Sequence, residues 1–192
     1  MSEEITISKL IQNRWSPRSF DPNKEITVEQ LASLFEAVRW APSSSNVQPW
    51  SFIVGHNFDD THKVIFSTLG EGNQIWAKNA PLLLISVTKL SRNDRPNRFA
   101  FHDVGLATEN LLIQATELGL HCHAMGGFSP DKARESFNIP SDYEAVAAIA
   151  IGYMGDVNLL PDDLKERQNL PRERKSLDEF VYTKTWGNPV VW

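Results

Sequence analysis

The sequence predicts an α+β layer fold, a mixed but mostly antiparallel sheet of about four strands flanked by helices. Three observations predict it. Short apolar runs stand at 50–55, 82–87, 121–125 and 145–153, and segments with a 3.6-residue apolar period alternate with them. Two-residue hairpins are expected to be absent. The segment 103–118 is apolar nearly all round, which suits a buried helix.

Taken in order, residues 5–13 read as a short helix with Ile7, Leu10 and Ile11 on one face. Residues 27–39 form a second, with Thr27 and Gln30 as a capping box and Leu31, Leu34, Phe35 and Val38 as its apolar stripe. Pro42 forbids its continuation. Trp50 to Gly55 is a strand, and Asp59 to Leu69 a helix with acids at its start and Gly70 at its end. Leu82 to Val87 is a continuous apolar strand after Pro81, and 91–100 a polar, basic surface loop. Asp103 opens the long helix, whose Val104, Ala107, Leu111, Leu112, Ala115 and Leu118 keep the period while Leu106 and Ile113 widen it, and Gly119 ends it. His121 to Met125 is a short strand, Ser129-Pro130 starts a small helix, and Ala145 to Tyr153 is the last strand. Residues 156–175 read as a surface loop. The extended tail, Tyr182 to Trp192, carries Trp186 and Trp192, so it is expected to dock on its own domain or on a partner subunit. Trp15, Trp40, Trp50 and Trp76 suit core or interface packing.

A chain of 192 residues is one domain-sized unit, read as a single domain over 1–192. Its 41% hydrophobic and 22% charged residues are ordinary for a globular protein. A net charge of -5 argues against nucleic acid or an anionic membrane as partner. No apolar run approaches the roughly 20 residues that span a bilayer. The acidic start Met-Ser-Glu-Glu has no signal-peptide pattern, and the one cysteine, Cys122, has no internal partner, so a cytoplasmic protein is expected.

Several chemistries are poorly served. Gly70-Glu71-Gly72 lacks the third glycine of a dinucleotide fingerprint and follows no strand. Cys122 reads as a buried structural thiol. His121 and His123 share a strand face, but a metal would need two further ligands that no spacing supplies, so no metal is expected. His102-Asp103 is a conceivable acid/base pair, although Asp103 is better explained as a helix cap. Catalytic side chains are therefore not assigned.

Anion binding is better served. Arg14 and Arg18, with Ser16 between them, offer two guanidinium forks and a hydroxyl to a phosphate. Ser43, Ser44, Ser45, Asn46 and Gln48, bracketed by Pro42 and Pro49, make a polar loop entering a strand, a suitable ligand floor as well as an ordinary turn. Arg172, Arg174 and Lys175 form a third basic cluster, which as a bare pattern is also what a solvated surface looks like.

At these places the chain resembles the nitroreductase-like flavoenzymes. Arg14-Trp15-Ser16-Pro17-Arg18-Ser19-Phe20 is similar to the family's opening Arg-x-Ser-x-Arg-x-Phe pattern, and APSSSNVQPWSFIV (41–54) to its most specific stretch. DVGLATENLLIQATELGL (103–120) resembles its central helix, MGGF (125–128) the segment whose backbone meets the flavin, RERKSLDEFV (172–181) its closing segment and TWGNPVVW its tail. The resemblance runs through most of the chain in order; 56–100 is generic.

It implies FMN bound at a homodimer interface, with the C-terminal tail exchanged between subunits. Arg14, Trp15, Ser16 and Arg18 would hold the phosphate and ribityl end, with Arg174 and Lys175. Pro42, Ser43, Ser44, Asn46 and Gln48, contributed by the other subunit, would line the ring and ribityl. Asn73 would approach the pyrimidine edge, and Met125, Gly126 and Gly127 would offer backbone near the ring's N5. The activity implied is NADH- or NADPH-dependent reduction of electron-poor small molecules such as nitroaromatics or quinones, by a ping-pong mechanism. Enals, halogenated aromatics and flavin are other substrates on this scaffold, and a flavin-binding protein with little turnover is the alternative of another class. Trp15 and Ser176 depart from the family pattern, the latter where proline is usual, loosening that loop; Gly126 lacks the acidic side chain of some members. Phe99, Phe101 and Phe128 are the candidates for the substrate-facing wall.

Overall fold

In a computed structural model of the chain, residues 5–192 are described. The acidic start Met-Ser-Glu-Glu lies outside them.

The sheet is built around one strand that water never reaches. In β2 (Leu82–Lys89) residues 82–88 are all buried. Leu82 and Leu84 face one apolar cluster, Leu83, Ile85 and Val87 the other, as period-two alternation requires. Beside it lie β1 (Trp50–His56) and β6 (Tyr143–Gly152), and β5 (His121–Met125) forms the far edge, in the order β1-β2-β6-β5. All three pairings are antiparallel, so the parallel component of the expected mixture is not found among the described residues. The order lays β2 beside β6 from far along the chain, and each strand reverses its neighbour.

Helices cover both faces. On one, α2 (Val28–Arg39) and α5 (Ala100–Glu117) pack through Leu34, Val38, Ala107 and Leu111. On the other lie α3 (Asp60–Thr68), α4 (Glu71–Ala77) and α6 (Pro130–Phe137), with Ile65, Trp76 and Ala133 in the core. The capping box of α2 forms as read, Thr27 Oγ1 accepting from Gln30 N–H and Gln30 Oε1 from Thr27 N–H.

Several expectations need correction. The first helix, α1, is only Lys9–Asn13, because Ser8 caps it. Gly70 does not close α3; it precedes α4, a helix the sequence reading omitted. The loop 91–100 contains a hairpin, β3 (Ser91–Arg92) and β4 (Arg95–Pro96), joined by the two residues Asn93 and Asp94, both with positive φ. Likewise 156–175 contains α7 (Asp162–Asn169), anchored by buried Leu164 and Gln168. Asp103 does not cap α5, which starts three residues earlier. Nor is α5 buried all round: Leu106 and Ile113 are half-buried and Phe101 is exposed. The tail folds on itself, Tyr182 pairing with Pro189, and leaves Trp186 at 92% and Trp192 at 77% exposure, so docking on its own domain is not what it does.

Candidate functional site

The basic segment is held by β5 and α7. Arg14 ends α1, and the chain then runs beside β5: Trp15 meets His121 edge-on at 6.0 Å, and the Pro17 carbonyl accepts a hydrogen bond of 2.8 Å from His123 Nδ1. That carbonyl fixes the proton on Nδ1, and burial, with Arg18 nearby, holds His123 below the ordinary imidazole range. From α7, Gln168 Oε1 accepts the Arg18 N–H at 2.6 Å. Arg172 Nη1 donates to the Arg14 carbonyl at 3.1 Å, and Arg14 Nη1 reaches Ser16 Oγ at 3.5 Å. Arg14, Trp15, Ser16, Arg167, Gln168 and Arg174 thereby line a cavity of about 250 Å³.

Its electrostatics are one-sided. Among the described residues, none of Arg14, Arg18, Arg167, Arg172 or Arg174 forms an ion pair. Burial and the Arg167 charge lower the Arg18 pKa. Gln168 Nε2 is buried without a partner. Guanidiniums without a carboxylate partner fit an anion with several acceptor oxygens, such as a phosphate. Lys175 is exposed and is not among the residues lining this cavity. Ser176 does not loosen its loop: its hydroxyl and N–H both donate to Glu179 Oε2 at 2.8 Å.

The opposite end of β5 carries the glycine pair. Asn73 Nδ2 donates to the Gly127 carbonyl at 2.9 Å, and Gly70 N–H donates to the same oxygen at 2.9 Å. A Cβ on Gly127 would sit 2.8 Å from Asn73 Nδ2, whereas one on Gly126 would meet nothing within 4 Å. Gly126 thus presents open backbone just past Met125. The five residues of β5 span roughly 13 Å at strand rise, which separates this ledge from the arginines.

The polar loop lies elsewhere. Ser43 Oγ accepts from Gln48 N–H at 3.0 Å, Gln48 Nε2 donates to Asn46 Oδ1 at 3.0 Å, and Ser45, Asn46 and Gln48 all hold positive φ. Three such residues in four is a strained arrangement that must be held from outside. Asp103 holds it: only 1% exposed, it accepts the Ser44 N–H through Oδ2 at 3.1 Å, while Oδ1 lies 3.2 Å from His102 Nδ1. Pro42, Ser43 and Ser44 share a cavity of about 410 Å³ with Phe99, His102 and Leu106. Of the other two candidate wall residues, Phe101 is exposed and Phe128 packs against the core.

The expected residues therefore form two groups in one chain. The arginines and the glycine ledge share β5, but the 42–48 loop sits at the start of α5, roughly 22 Å along the helix from its end near β5. The role of Asp103 and the contribution of Arg167 and Gln168 were missed. A signal for the latter existed, since Pro161 followed by Asp162 and Asp163 is a helix start and Leu164 and Gln168 share a face. His121 and His123 are engaged separately by Trp15 and Pro17, and no cluster suited to a metal occurs among the described residues. Burial pushes the Cys122 thiol up, leaving it inert.

Comparison with known proteins places this geometry. Residues 11–64 and 56–153 match the Nitroreductase family. A solved structure of an oxidoreductase containing FMN superposes with a TM-score of 0.91 at 35% identity, covering 97% of this chain and 96% of that one. The major NAD(P)H-flavin oxidoreductase of Aliivibrio fischeri is 26% identical over 89% of this chain and 95% of its own length. An uncharacterized 15.4 kDa protein of Mycolicibacterium smegmatis is 32% identical over 69% of this chain and 88% of its own. The strand edge, the arginine cavity and the strained loop thus belong to a member of the nitroreductase family.

Proposed function

We propose that this chain is an FMN-dependent oxidoreductase that takes electrons from NADH or NADPH and delivers them to electron-poor small molecules such as nitroaromatics or quinones. The observation that carries this reading is the arginine cavity, whose guanidiniums form no ion pair among the described residues, set one strand length from an open glycine backbone. The match to an FMN-containing oxidoreductase over nearly the whole of both chains supports it.

Bound FMN supplies the two-electron chemistry. The chain's own residues hold and orient it. Arg14, Ser16 and Arg174 line the cavity and supply donors for the phosphate, with Arg18 beside them, its N–H held by Gln168 Oε1. Gly126 and Gly127 let backbone approach the ring, with Asn73 fixing that ledge through the Gly127 carbonyl. Pro42, Ser43, Ser44, Asn46 and Gln48 face a ring from a second copy of the chain. The distance along α5 supports that division, and the exposed Trp186 and Trp192 support a tail that crosses to the partner. Phe99 and Leu106 wall the space beside the loop, which donor and acceptor occupy in turn, giving ping-pong kinetics.

An absorbance spectrum of the purified protein, recorded without oxygen before and after NADH or NADPH, tests this. A flavin spectrum that bleaches is expected. A flavin that resists both donors means a flavin-binding protein with little turnover. Failure to take up added FMN overturns the reading at its base.

A further inference from the structure

Between β2 and α5 the β3–β4 hairpin carries a second basic cavity, whose arginines the proposed FMN site does not include. Arg92, Arg95 and Arg98 line a space of about 530 Å³ with Ser44, Asn97 and Phe99. The chain as a whole is negative, at -5, so this is a local reversal of sign. Exposed arginines are common, but three features set these apart. Arg92 and Arg95 are direct cross-strand partners, and like charges placed opposite one another destabilise a hairpin unless something sits between them. None of the three forms an ion pair among the described residues, Asp94 in the turn included. Asn97 is pinned, its N–H donating to the Leu90 carbonyl at 2.7 Å and its Oδ1 accepting the Phe99 N–H at 3.2 Å, yet its Nδ2 is buried without a partner. The Arg98 guanidinium lies 5.7 Å from the centroid of the Phe99 ring.

This is a wall of donors beside an aromatic face, and it joins the 42–48 loop pocket through Ser44 and Phe99. We infer that the hairpin receives the 2′-phosphate of the nicotinamide donor, so that the chain selects NADPH over NADH. The inference rests on the oxidoreductase reading. Both donors carry the same pyrophosphate. Only NADPH carries the additional phosphate monoester, whose oxygens match two guanidinium forks and relieve the Arg92–Arg95 repulsion. NADH offers a neutral hydroxyl at that place.

The test separates the subsite from the activity. Calorimetric titration of the full chain with adenosine 2′,5′-bisphosphate and with adenosine 5′-monophosphate isolates the 2′-phosphate. The bisphosphate should bind roughly tenfold or more tightly, the scale of one charge-assisted contact. That advantage should vanish in the Arg92→Gln/Arg95→Gln variant and persist in part in Arg92→Lys/Arg95→Lys, which keeps the charge and loses the fork. Rapid-mixing measurement of flavin bleaching should show the same preference for NADPH over NADH, collapsing in the glutamine variant. Equal binding of the two adenosine phosphates, or an advantage that survives loss of both arginines, overturns the subsite even if NADH bleaches the flavin. Selective, arginine-dependent binding with no bleaching by either donor keeps the subsite and sinks the oxidoreductase reading.

Discussion

Replacing Arg14 with alanine should weaken FMN binding while leaving the empty protein as stable as before. The magnitude follows from what the guanidinium touches. Among the described residues its one side-chain hydrogen bond is to Ser16 Oγ at 3.5 Å, at the limit of such contacts, and no carboxylate pairs with it. Three other arginines line the same cavity, so its removal also relieves repulsion. The contact that secures the segment, Arg172 to the Arg14 carbonyl, uses backbone and survives the substitution. The empty protein should therefore change by less than about 0.5 kcal/mol. The complex loses a charge-assisted hydrogen bond to phosphate, about 1.5–3 kcal/mol, or roughly 10–150-fold in Kd. Flavin fluorescence titration at fixed ionic strength gives the affinity, and thermal unfolding of the flavin-free protein gives the stability. An affinity within twofold of the parent removes Arg14 from the phosphate site. A flavin-free protein that loses as much free energy as the complex shows that Arg14 is structural.

Other consequences can be read in the same way. Gly126→Ala places a methyl group where no atom lies within 4 Å, so stability should hold while FMN affinity falls; Gly127→Ala meets Asn73 Nδ2 at 2.8 Å and should cost the flavin-free protein about 1 kcal/mol by displacing that amide. Chemical denaturation of both variants, alongside flavin titration, checks the pair, and an unchanged FMN affinity in Gly126→Ala would remove that backbone from the ring. His62, His121 and His123 are all held below the ordinary imidazole range, each chiefly by burial. Their neutral folded forms contribute stability that is intact above the unfolded value of about 6.5 and is lost as pH falls through it toward the folded values. Urea unfolding should thus show a lower midpoint at about pH 5.5 than at about 7.5, and a flat profile would contradict it. Truncation after Val181 removes the exposed Trp186 and Trp192 and should abolish dimer and flavin binding together. Sedimentation of a fully flavin-loaded monomer would refute the shared site.

The fold was legible wherever a pattern was decided by burial. All four main strands and the long helices lie close to where periodicity puts them, because water is excluded from them on one face or both. The misses are local. At α7 only Leu164 and Gln168 are buried, too few for an apolar stripe, and the surrounding charge reads as a loop. Asn93-Asp94 is a hairpin turn joining strands of two residues each, too short to show alternation. Asp103 illustrates a deeper limit. A carboxylate near a helix start reads as a cap, and nothing local reveals that its partner is Ser44, 59 residues away. The resemblance assigned the 42–48 loop and the arginines to different subunits, and within one chain the two lie apart.

The unsatisfied groups locate function more sharply than the satisfied ones. Buried polar side chains nearly always find a partner, so an exception asks for a cause. Among the described residues the buried side-chain nitrogens and oxygens without one are Asn97 Nδ2 and Gln168 Nε2. Each is an amide donor whose own oxygen is engaged, by Phe99 N–H and by Arg18 N–H respectively, which leaves neither side chain free to turn the amide away. Each also stands in a cavity lined by unpaired arginines, one fed by α7 and the N-terminal segment, the other by the β3–β4 hairpin. Two chance defects would have no reason to fall beside arginine-lined cavities of an acidic chain. Both orphans thus lie against concentrations of positive charge, the setting in which the proposed FMN phosphate and the proposed 2′-phosphate are each placed.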